Sequence, residues 1–138
     1  MAARILVVED DPTNRALVTK FLRHLGYELV EAASGAAALQ LARSAAVDLI
    51  LLDLGLPEVD GHEVARQLKR NPSTAGIPLV ALTAYALRGD DRRATAAGCD
   101  YYLPKPFDLD ALSGLIREAL GTAALGGQGL GHSVPSQS

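Results

Sequence analysis

Four short apolar runs, at residues 5–8, 49–52, 79–82 and 101–103, are unbroken instead of alternating with polar positions. Unbroken runs of this length predict strands covered on both faces. A weaker fifth run, 27–32, predicts a strand nearer a sheet edge. The segments between them carry helical spacing. Val18, Phe21, Leu22 and Leu25 fall at i, i+3, i+4 and i+7, with Gly26 placed to end that helix. Ser34 is placed to cap a second helix bearing Leu39 and Ala42. Asp60-Gly61 opens a third, with Val64 and Leu68 inward, stopping near Asn71-Pro72. A fourth is predicted from Leu87 to Ala97, ending at Gly98. The last, capped by Asp108, presents Leu109, Leu112 and Ile116 and runs to Leu120.

A strand–helix pair repeated five times predicts an α/β, doubly wound (βα)5 fold with a parallel sheet and helices on both faces. Residues 1–120 form the predicted domain. Residues 121–138, rich in Gly, Ser and Gln, predict a disordered tail. In open sheets of this kind ligands lie beyond the carboxyl ends of the strands, where the strand order reverses.

Composition narrows the possibilities. The 138 residues suffice for one domain, and 49% are hydrophobic but only 4% aromatic, so the core is aliphatic. A net charge of −3 lacks the basic excess of a phosphate-backbone binder, and no nucleic-acid partner is expected. No apolar run approaches the roughly 20 residues that span a bilayer, and no signal peptide precedes residue 5. A cytoplasmic protein without a membrane partner is expected. The single cysteine, Cys99, reads as a small packing residue. His24, His62 and His132 lack ligand spacing.

Polar residues at the predicted strand ends carry the chemistry. The first strand runs into Glu9-Asp10-Asp11, the third into Asp53, the fourth into Thr83, and Lys105-Pro106 follows the fifth. Converging carboxylates repel unless a cation neutralises them, and hard oxygen donors suit Mg²⁺. Asp53 then supplies a carboxylate nucleophile for phosphoryl transfer, with Lys105 and the Thr83 hydroxyl able to meet phosphoryl oxygens. Taken singly, each has an ordinary reading: Asp11 caps a helix, Thr83 bonds backbone, Lys105 is a surface lysine. Four strand ends with compatible groups make coincidence a poor account.

These residues, within Ile5-Leu6-Val7-Val8-Glu9-Asp10-Asp11, Leu51-Leu52-Asp53-Leu54-Gly55-Leu56-Pro57, Ala81-Leu82-Thr83-Ala84 and Tyr102-Leu103-Pro104-Lys105-Pro106-Phe107, resemble the response-regulator receivers of two-component signalling. The resemblance covers residues 4–120 and leans towards stand-alone cell-cycle receivers of the DivK type, in the wider CheY-like group. It implies a flavodoxin-like sheet in the order 2-1-3-4-5 and a cis Lys105–Pro106 bond. It implies Asp53 as phosphoacceptor, Mg²⁺ held by Asp10, Asp53, the Gly55 backbone carbonyl and, through a water, Glu9. Thr83 and Lys105 contact the phosphoryl group, and Thr83 with Tyr102 forms the switch. Glu9 stands where aspartate is usual. The implied phosphodonor is a histidine kinase or histidine phosphotransfer protein. Output is a contact with a downstream protein, made by the predicted fourth helix, the fifth strand and the last helix. Such a protein is a monomer or weak dimer, and not an enzyme beyond self-phosphorylation and self-dephosphorylation.

Other readings fare worse. A flavodoxin-like nucleotide binder needs a phosphate loop where Glu9-Asp10-Asp11 would repel phosphate. A haloacid-dehalogenase-type phosphatase wants an acid where Gly55 stands. A pseudo-receiver that binds partners without phosphorylation would be favoured by loss of Asp10, Asp53 or Lys105, and all three are present. A receiver excised from a hybrid kinase is the other alternative, against which the start at Met1 just before the first strand is read.

Overall fold

The apolar runs are unbroken because the strands they form are walled in on both sides. The computed structural model describes residues 2–56, 60–83 and 95–124. Strands β1 (Arg4–Val8), β2 (Glu28–Ala32), β3 (Leu49–Asp53), β4 (Leu79–Thr83) and β5 (Tyr101–Pro104) form one parallel sheet in the order β2-β1-β3-β4-β5. Every residue of β3 and β4 is buried, while β2 lies at an edge and is half open. Helices α1 (Pro12–His24), α2 (Gly35–Ser44), α3 (Gly61–Arg70) and α4 (Leu109–Ala124) cover it.

Strand alternation sorts the core into two layers. Leu6, Val8, Ile50, Leu52, Leu79 and Ala81 pack with Ala38 and Ala42 of α2 and with Val64, Ala65 and Leu68 of α3. Ile5, Val7, Leu49, Leu51, Val80 and Leu82 pack with Val18 and Leu22 of α1 and with Leu112 and Ile116 of α4. The doubly wound parallel sheet, in the strand order that the resemblance implied, is thus present, with four of the five expected helices among the described residues.

Local signals set most helix ends. Asp11 caps α1 by accepting from the Thr13 amide at 2.9 Å, Ser34 caps α2 through Ala37, and Asp60 caps α3 through His62. Asp108 accepts from the Ala111 amide at 2.6 Å, as expected for the last helix. Gly26 and Gly98 stop the chain with φ of +99° and +98°, a left-handed conformation that costs other residues.

Two expectations need correction. Leu25 is not on the inward stripe: it is the residue after α1, it caps that helix through its amide, and it is exposed. Once the helix has ended, the 3.6-residue period no longer directs its side chain. The last helix also continues past Leu120 to Ala124, so residues 121–124 do not belong to a disordered tail. One glycine costs a helix only about 1 kcal/mol, and Ala123 and Ala124 are strong helix formers. The rest of that predicted tail, and residues 87–94 of the predicted fourth helix, lie outside the described residues.

Candidate functional site

The strand order reverses between β1 and β3, and this is where the acidic residues gather. Glu9 and Asp10 follow β1, and Asp53 ends β3. One carboxylate oxygen from each falls within 4.8 Å of the others. Glu9 is 7% exposed and Asp53 5%, while Asp10 is the more open.

Each side chain is held by its surroundings. The Glu9 amide donates to the Ala32 carbonyl at 3.0 Å, extending the β1–β2 ladder by one residue. Its carboxylate accepts from the Asp11 amide at 3.2 Å. The two Asp53 oxygens face different partners: the Gly55 amide donates to Oδ1 at 2.9 Å, and Lys105 Nζ lies 3.3 Å from Oδ2. Lys105 Nζ also lies 3.8 Å from Glu9 Oε1. The Lys105 amide donates to the Thr83 carbonyl at 2.6 Å, which locks the end of β5 onto β4. The Lys105–Pro106 bond is cis.

Thr83 is buried one residue beyond Leu82, the sheet partner of Asp53. Gly61 matters through its missing side chain. A Cβ there would lie 2.5 Å from Leu54 Cα, so only glycine lets α3 start directly beneath the turn after Asp53.

One ammonium cannot balance three carboxylates. Burial pushes the Glu9 carboxyl up to about 7, the charge and hydrogen bonding of Asp53 add to this, and the Asp11 amide and Lys105 oppose it. A buried acid whose ionisation is pushed up beside two further oxygen donors marks a site short of positive charge. Hard oxygens of this number fit Mg²⁺. Asp11, whose Oδ1 caps α1, is not in the cluster.

Residues 5–117 match the family model of the response regulator receiver domain. The chain belongs to that family. It is similar to the polar-differentiation response regulator DivK of Brucella ovis, 39% identical over 123 residues, which span 89% of this chain and 100% of that protein. Among solved structures, the receiver domain of a sensor histidine kinase from Pseudomonas aeruginosa PAO1 superposes with a TM-score of 0.82 at 36% identity, covering 88% of this chain and 99% of that one. That structure holds a magnesium ion in its active-site cleft. A CheY-like receiver from Methanospirillum hungatei JF-1 gives a TM-score of 0.85 at 28% identity, covering 92% and 100%. Receiver domains are signalling modules that act with histidine kinases and downstream targets. In this receiver no helix among the described residues is long and apolar enough to cross a membrane.

The remaining sequence candidates lie outside the acidic cluster. Tyr102 pairs with Ala81 and Tyr101 with Val80, so the adjacent tyrosines face opposite layers. Tyr102 shares its face with Ala81 and Thr83, outside the acidic cluster. Cys99 is half-buried, and burial followed by the Asp100 charge pushes its thiol up to about 11, which suits a packing role.

Two features escaped the sequence reading. Arg15 donates to the Glu9 carbonyl from α1, yet an arginine on a helix carries no sequence mark of such a contact. A groove of about 620 Å³ opens beside Glu9 and Lys105, lined by Leu17, Val18, Phe107 and Leu109 among others. Leu17 is 57% exposed there. Its position at i−1 from the inward Val18 was a faint sign that apolar surface continues round α1.

Proposed function

We propose that this receiver accepts a phosphoryl group on Asp53 and signals through the protein contact that follows. The observation that carries it is the divided Asp53 carboxylate: one oxygen bound by the Gly55 amide, the other beside Lys105, with Glu9 and Asp10 within reach of one cation. An Asp53 oxygen attacks the phosphorus of a phosphohistidine on a histidine kinase or phosphotransfer protein. The phosphorus–nitrogen bond breaks, an acyl phosphate forms, and the imidazole leaves. Lys105 meets the charge on the transferred group, and the Thr83 hydroxyl donates to one of its oxygens. Asp10, Asp53, the Gly55 carbonyl and Glu9 through a water would hold Mg²⁺, which when bound neutralises phosphoryl oxygens during transfer.

The donor docks over the groove beside Lys105, where Leu17 and Phe107 supply apolar surface between the charges of Glu9, Lys105 and Asp108. Output follows from the sheet face that Thr83 and Tyr102 share. As Thr83 is drawn to the phosphoryl group, Tyr102 repacks and changes the surface of β5 and α4. Phosphorylation shifts a pre-existing equilibrium by its differential interaction with the two states.

Acetyl phosphate with Mg²⁺ should label the wild-type chain once, on Asp53, read by intact mass and acid-labile phosphate. Asp53→Asn should abolish labelling. Undiminished labelling of that variant would sink the assignment.

A further inference from the structure

Arg15 stands on α1 with its side chain half-buried and its guanidinium held along two edges. Nη1 donates to the Glu9 backbone carbonyl at 2.8 Å, and Nε donates to Glu31 Oε1 at 3.1 Å. The other Glu31 oxygen lies 3.9 Å from Arg23 Nη2. Arg15 therefore ties α1 both to the end of β1 and to β2.

The carbonyl it holds is a sensitive one. The Glu9 carbonyl and the Asp10 amide belong to one planar peptide unit, so fixing the carbonyl restrains ψ of Glu9 and φ of Asp10 together. The Glu9 amide and carboxylate already have partners in Ala32 and Asp11. Among the described residues the Asp10 carboxylate has no hydrogen-bond partner. Where it points is left to the backbone, and the Arg15 bond restrains that backbone between strand end and helix start.

We infer that Arg15 is a positioning residue for the divalent-cation site: by holding the Glu9–Asp10 peptide it aims both carboxylates at the ion while touching neither. This rests on the Mg²⁺ reading above. Charge alone argues the opposite sign, because a guanidinium beside an acidic cluster repels a cation and its removal should tighten binding. Positioning requires removal to weaken it.

Calorimetric titration of the full chain with MgCl₂ at pH 8 separates the two. Arg15→Ala should weaken Mg²⁺ binding about tenfold or more, the usual effect of losing a group that orients metal ligands. Arg15→Lys should weaken it in the same direction but less, since the positive charge remains while the fork that spans the Glu9 carbonyl and Glu31 is lost. Labelling of Arg15→Ala by acetyl phosphate should be slow at low Mg²⁺ and return to the wild-type rate at saturating Mg²⁺. A merely structural arginine would lower stability and leave that split unseen. Unchanged or tighter Mg²⁺ binding by folded Arg15→Ala would overturn the inference. If that variant does not fold, wild-type affinity in Arg15→Lys overturns it instead. A wild-type chain that binds no Mg²⁺ would remove the cation reading itself, and this inference with it.

Discussion

Replacing Glu9 by glutamine in the metal-free protein removes a carboxyl that the fold holds far from its usual ionisation. Burial first, then Asp53, raises Glu9 from 4.5 to about 7. The unfolded chain has released this proton above pH 4.5, while the folded protein keeps it until about pH 7. Each step up in pH across that window therefore favours the unfolded chain, and stability is lost. The full loss is the shift multiplied by 1.36 kcal/mol per unit, roughly 3–4 kcal/mol. Glutamine keeps an oxygen for the Asp11 amide and cannot ionise. Glu9→Gln should thus match the wild type closely at pH 4 and exceed it by roughly 3 kcal/mol at pH 8. Urea unfolding in EDTA at the two pH values measures this, and groups common to both proteins cancel in the difference. Excess MgCl₂ should narrow the gap at pH 8, since a bound cation stabilises the wild-type fold by mass action and favours the ionised carboxylate. Parallel pH dependence of the two proteins in EDTA would refute the account of Glu9 as a buried acid short of positive charge.

Gly61→Ala should cost roughly 1–3 kcal/mol in urea unfolding, because the new methyl meets Leu54 backbone instead of a side chain able to move. It should also slow acetyl phosphate labelling by displacing the turn that carries the Gly55 amide, and a fully stable Gly61→Ala would show that α3 is less closely seated. With beryllofluoride and Mg²⁺, amide NMR shifts should extend from Thr83 through residues 101–107. Shifts confined to the neighbours of Asp53 would argue against a Thr83–Tyr102 switch.

Much of this molecule was already legible in local pattern. Unbroken apolar runs mark buried parallel strands because both sheet faces are covered, and Gly26, Gly98, Ser34, Asp60 and Asp108 mark helix ends through backbone chemistry that acts over a few residues. Asp10, Asp53, Thr83 and Lys105 were legible as site candidates because a doubly wound sheet gathers the residues after its strands at one end. Leu25 and the continuation of α4 to Ala124 went astray where a period or a single glycine was asked to place an end that hydrogen bonding decides. Other features depend on pairing between distant segments. Tyr101 and Tyr102 are indistinguishable until the β4–β5 register turns one to each layer. The ionisation of Glu9 depends on burial and on Asp53, 44 positions away in the chain. The reach of Arg15 to the Glu9 carbonyl exists only once α1 has packed against the sheet. Sequence determines which groups are available and where each element stops; burial, register and cross-element distance, which set how those groups ionise and which way they point, arise only when the sheet has closed.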